Sequence, residues 1–110
     1  MKITKQEQYL TVTPEKKSDF NLFFNSFTEK IKEFESQNII LDLSETLFSL
    51  SDILNFKNIS EEKVGLGTTF VVIYSEIDID EIPDELIVVP TFQEAIDMIE
   101  MDEMTRSLDF

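Results

Sequence analysis

The chain has 110 residues, 42% of them hydrophobic, with two glycines, three prolines, no cysteine, no histidine and a formal net charge of −14. That length and apolar content suit one globular domain burying about 65% of the surface its unfolded form exposes, and no apolar run approaches the ~20 residues of a membrane span. Without cysteine or histidine the chain excludes disulfides, Ser–His–Asp and Cys–His nucleophiles and nearly every zinc site, and it disfavours metal-dependent nucleases built on a histidine cluster.

The charge is unevenly spread. Residues 1–63 hold eight lysines against eleven acids, whereas residues 64–110 hold one arginine against twelve acids. A field of this sign repels phosphate backbones and anionic lipid, so neither nucleic acid nor membrane is an expected partner. The opening MKITKQEQYL lacks the apolar centre of a signal peptide, and a cytoplasmic location is expected.

Two short extended runs, residues 2–5 and 9–13, read as a hairpin joined through residues 5–8, and Pro14 ends the second. Phe20, Phe23, Phe24, Phe27, Ile31 and Phe34 then recur at steps of three and four, which confines them to a stripe about 100° wide, one buried helix face capped by Ser18 or Asp19. Residues 39–43 form a continuous apolar run, the pattern of a strand covered on both sides. A helix is predicted from Ser51 to Lys63, broken by Gly65 and Gly67. Residues 69–74 are rich in β-branched side chains and read as another buried strand.

The acidic link SEIDIDEIPDE follows, with Asp80 expected to cap a helical turn before Pro83, and a short strand at residues 86–89. Thr91 with Glu94 opens the last helix as a capping box, and Phe92, Ala95, Ile96 and Ile99 mark its inner face. Met101, Met104 and Leu108 project about 150° away from that stripe. Either the helix bends near Glu100, or a second apolar face, with Phe110 behind it, is offered to something else; residues 101–110 then form a helical extension or tail. The elements run ββαβαβ(short turn)βα. They imply a single α/β domain on a mixed sheet of four to five strands, with parallel strand–helix–strand units, an antiparallel edge and three main helices.

Few constellations carry chemistry. VGLGTTF precedes a strand, where a dinucleotide-binding fingerprint requires its glycines after one. A calcium loop opening at Asp78 would need a glycine where Pro83 stands and a glutamate where Val89 stands. No spacing singles out a pair of carboxylates for acid–base work. The sequence therefore points to no cofactor, no metal and no catalytic residue.

The arrangement resembles the STAS family, the domain of anti-sigma-factor antagonists. The matching pieces are NIILDLSETLF with the helix from Ser51, TTFVVIY for the next strand, and LIVVPTFQEAIDMIE for the last strand and helix, over about Met1 to Glu100. In that family the crossing after the apolar strand carries an Asp-Ser-Ser-Gly-like motif whose serine a partner kinase phosphorylates. By this resemblance Ser51 falls at or beside the phosphorylated position, but Leu50 stands in place of the aspartate and Ile53 in place of the glycine. Ser49 and Ser51 are thus candidates for a degenerate phosphosite or for a plain helix cap.

The resemblance implies a protein-interaction or regulatory domain. The departures at Leu50 and Ile53 predict that the serine switch does not work, and the missing histidine and cysteine that the domain is non-catalytic; it is expected as a monomer or weak homodimer. Its candidate partner surfaces are the helix start with Asp52 and, from the sequence itself, the stripe Met101, Met104, Leu108 and Phe110. The alternative is a small-molecule module at the carboxyl ends of the central strands near residues 44–51.

Overall fold

In the structure, a computed structural model that describes residues 1–108, β1 (Lys2–Lys5) pairs antiparallel with β2 (Leu10–Thr13), and the Gln6 amide donates to the Tyr9 carbonyl at 2.9 Å across the turn. β3 (Ile39–Asp42), β4 (Phe70–Ile73) and β5 (Ile87–Val89) then add in parallel, giving the order β1-β2-β3-β4-β5. The expected mixed sheet is therefore present, with five strands. Each strand joins on the same side of its predecessor, so crossovers of one hand stack their helices on one face. That face carries α1 (Phe20–Lys30), α2 (Leu50–Leu54) and α3 (Lys57–Gly65), while α4 (Phe92–Leu108) returns alone across the other.

β3 shows why its residues are continuously apolar. Ile39 and Leu41 enter the larger core beneath α1–α3, and Ile40 enters the smaller one beneath α4 with Val71, Ile73, Ala95 and Ile99. Phe56 is the hub of the larger core: its ring stands edge-on to Phe20, Phe24 and Phe27 at 5.9, 5.3 and 5.8 Å. The phenylalanine stripe of α1 is thus core, with Phe23 and Phe27 buried and Phe20, Phe24, Ile31 and Phe34 packed around them. Asp19 provides its cap, accepting from the Leu22 amide at 3.0 Å.

Three local features differ from the sequence reading. The first helix tightens into a 3-10 turn at Ile31–Phe34, so the stripe spans two helix types. The helix predicted from Ser51 to Lys63 is two helices, because the Asn55 amide nitrogen takes the Ser51 and Asp52 carbonyls at 2.9 and 3.2 Å and competes with the regular ladder. In the acidic link, the 3-10 turn Ile79–Glu81 is capped by Asp78, whose carboxylate accepts from the Asp80 amide; Asp80, two residues later, lies within the turn.

α3 ends as its glycines foretell. Gly67 adopts φ +78°, the Thr68 amide donates to the Lys63 carbonyl and the Gly67 amide to the Val64 carbonyl, a Schellman closure that a side chain at position 67 would strain. Lys63 itself, 3% exposed, spans to the end of the 3-10 turn after α1, and its ammonium donates to the carbonyls of Phe34 at 2.9 Å, Glu35 at 3.3 Å and Gln37. Burial pulls it down to about 8, and the Glu35 carboxylate resists that fall. Among the described residues no helix is long and apolar enough to cross a membrane.

Candidate functional site

The crossing from β3 to α2 leaves the carboxyl end of the sheet and is fastened at each step. Asp42 accepts from the Ser44 amide at 3.0 Å and from the Ser44 hydroxyl at 2.6 Å. Thr46 turns its amide and hydroxyl onto the Leu43 carbonyl at 3.0 and 2.8 Å. Phe48 drops into the core, and its carbonyl accepts from the Tyr74 hydroxyl at 2.7 Å. Burial pushes the Tyr74 phenol up, as do the Glu76 and Asp52 carboxylates, so the hydroxyl stays a donor. Between the fixed Thr46 and the fixed Phe48 stands Leu47, 98% exposed.

Beside Leu47 runs an open cleft of about 630 Å³, walled by Lys16, Phe20 and Asn21 on one side and by Leu47, Phe48 and Asp52 on the other. Lys16 reaches Glu45 at 3.8 Å, an exposed pair that links the two walls weakly.

The two serines separate. Ser49 is the cap of α2: its hydroxyl accepts from the Asp52 amide at 3.1 Å while the Asp52 carboxylate accepts from the Ser49 amide at 3.0 Å, a reciprocal capping box. Ser51 lies two residues later, exposed, with its carbonyl taken by the Asn55 side chain and, among the described residues, no hydrogen bond from its hydroxyl. Asp52 thus lines the cleft with a carboxylate already engaged at home. Among the described residues no three carboxylates converge as a metal site.

On the opposite face of the sheet, α4 resolves the alternatives left by its sequence. It is one unbroken helix from Phe92 to Leu108, opened by Thr91, whose hydroxyl accepts from the Glu94 amide at 3.2 Å. Its inner face continues past Ile99, but changes from apolar to polar. At ~100° per residue, Asp102, Glu103 and Arg106 follow Ala95, Ile96 and Ile99.

These polar residues dock on two buried residues at the amino ends of β3 and β4. Asn38 donates to the Glu103 carboxylate at 2.8 Å and to the Gln8 carbonyl at 2.9 Å, while its oxygen accepts from the Thr69 amide at 2.9 Å. Thr69 donates to Asp102 at 2.8 Å and accepts from Arg106 at 3.0 Å, and Arg106 closes on Glu103 at 2.7 Å. The hydrogen bonds from Asn38 and Arg106 hold the Glu103 carboxyl below its ordinary value.

Met101, Met104 and Leu108 consequently face water, at 62, 65 and 72% exposure. Phe110, the fourth member of that stripe, lies outside the described residues.

Leu47 and the Asn38–Thr69–Arg106 clamp escaped the sequence reading. For the clamp a signal existed, since positions 102 and 106 stand seven residues after Ala95 and Ile99. It was hidden because those positions are charged. For Leu47 the only signal is that adjacent Leu47 and Phe48 in a short crossing cannot both turn inward.

No model of a known protein family matches the chain, and no curated protein matches it.

Proposed function

We propose that this is a non-catalytic protein-interaction domain, STAS-like in the order of its elements but lacking that family's serine switch, and that it engages a partner protein through the crossing between β3 and α2. The observation that carries this reading is Leu47. Leaving a leucine in water forgoes about 2 kcal/mol of burial, and here the loop on both sides is pinned by hydrogen bonds and by a buried phenylalanine. A rigid, fully exposed apolar side chain next to a cleft is a preorganised anchor, because little conformational freedom is lost when a partner covers it.

The absence of a switch is supported by the division of labour between the serines. Ser49 already satisfies the start of α2, and Ser51 has Asp52 as its neighbour, a charge that opposes an added phosphate. A cleft of this volume also suits a small ligand. Of the four charged residues that line it, Lys16, Asp19 and Asp52 are, however, each directed at groups of the chain itself.

Placing a photo-crosslinking amino acid at position 47 in the protein's own cells tests the reading. A discrete cross-linked polypeptide is expected from position 47 and not from exposed Val64 at the other end of the sheet, and Ser51→Asp should leave the yield unchanged. Equal labelling from both positions would refute the surface, and selective loss on Ser51→Asp would restore the switch. Native mass spectrometry showing a small molecule that co-purifies and occupies the cleft would favour the ligand reading instead.

A further inference from the structure

The outward face of α4 is a seam of a defined kind. Glu94, Asp97, Met101, Met104 and Leu108 follow one another at steps of three, four, three and four, the spacing by which one helix packs along another. The seam covers about 22 Å of helix. Its first two positions are carboxylates and its last three are large, exposed and apolar. Gln93 donates to Asp97 at 2.9 Å, and among the described residues no lysine or arginine comes within ion-pair distance of Glu94, Asp97 or Glu100. The face is also held still, since the Asn38–Thr69 clamp fixes the opposite side of the same turns.

A second copy of the chain fits this seam badly. Parallel pairing about a two-fold axis sets Glu94 on Glu94 and Asp97 on Asp97. Antiparallel pairing along the whole seam, centred on Met101, sets Glu94 on Leu108 and Asp97 on Met104, which buries carboxylates without a cation. Pairing shifted to Met104 spares them only by shrinking the overlap to about 10 Å of helix, too little surface for a stable dimer. Charge complementarity selects a different occupant. We propose that this face docks an amphipathic helix of a partner protein that carries two basic residues, three apart, opposite Glu94 and Asp97, and aliphatic residues at the following seam positions opposite Met101, Met104 and Leu108. Methionine suits such a contact because its unbranched stem adapts to the partner's shape. This surface is separate from Leu47 and does not depend on it.

The probe is a fluorescent synthetic helix of about 20 residues with lysines and leucines in that register, compared by anisotropy at physiological salt with a scrambled peptide of the same composition. The registered peptide is expected to bind about tenfold tighter than the scrambled one. Met101→Ser/Met104→Ser/Leu108→Ser should erase the difference with the helical circular dichroism retained. Glu94→Lys/Asp97→Lys should transfer the preference to a peptide with glutamates in place of the lysines, and Leu47→Ser should change nothing. Equal binding of registered and scrambled peptides would reduce the effect to charge alone and overturn the proposal. So would a homodimer in sedimentation equilibrium that Met104→Glu dissolves, or loss of peptide binding on Leu47→Ser.

Discussion

Lys63→Met keeps the volume of the lysine stem and removes its ammonium, which serves three carbonyls at the end of the 3-10 turn. Glu35 is exposed and Phe34 and Gln37 are half-buried, so water replaces part of what is lost, and each carbonyl costs about 1 kcal/mol, the low end for an unmet acceptor. The cost of burying a charge, several kcal/mol for a dry ion, is cut by the same water to roughly 1 kcal/mol here, and its relief leaves a net loss of about 2 kcal/mol at pH 7.

The pH dependence is the sharper test. The folded value is about 8 against 10.5 for an ordinary lysine, so the unfolded chain holds its proton to higher pH than the folded one. Stability therefore rises with pH between those two values. From pH 7 to 9.5 linkage gives at most about 2 kcal/mol, and about 1 kcal/mol once water around Glu35 is allowed for. Urea unfolding of both proteins at the two pH values should show their gap widening from about 2 to about 3 kcal/mol. A constant or narrowing gap would mean that the amine is not discharged in place, and the assigned cause of its depressed value would be wrong.

Asn38→Ala should cost about 2–3 kcal/mol, because it strips the Thr69 amide, the Gln8 carbonyl and the Glu103 carboxylate of their partner at once. Hydrogen exchange should accelerate over residues 101–108 more than over 93–99, and uniform acceleration would deny the clamp its local role. Glu103, held below 4.5, lends stability that is complete above 4.5 and disappears as pH falls through its folded value. Amide protection at the end of α4 should fall in that acid range and fall less in Glu103→Gln, an equal fall in both proteins counting against it. Ser49→Ala should cost about 1 kcal/mol and Ser51→Ala no more than about 0.5, measured by thermal melts; the reverse ranking would move the cap to Ser51.

The strands and α1 were legible because their signals are periodic and apolar. The short apolar runs 39–43 and 69–74, β-branched and bounded by polar residues, read as strands covered on both faces and appear as Ile39–Asp42 and Phe70–Ile73, and the phenylalanines of α1 share one side. What escaped is polar. Asn55 splits a helix by bonding backward and Asp78 rather than Asp80 caps the acidic turn, while of the two serines offered as caps for α2 it is Ser49 that serves. In each case several neighbouring residues carry suitable oxygens or amides, and the backbone geometry decides among them.

α4 makes the same point in a form that bears on function. A helix selected only to cover a sheet would continue the Ala95–Ile99 stripe with aliphatic side chains and turn its acids outward. Here the inner positions hold Asp102, Glu103 and Arg106, while methionines and a leucine stand in water. The inversion is tolerable because Asn38 and Thr69, at the amino ends of β3 and β4, satisfy every one of those inner groups. Polar docking fixes rotation about the helix axis more narrowly than apolar packing does, since hydrogen bonds tolerate little misalignment. The stripe is therefore aimed as well as exposed. Leu47, at the carboxyl end of β3, is held by hydrogen bonds of its own crossing and lies on the α1–α3 side of the sheet, whereas the α4 stripe lies across the other face.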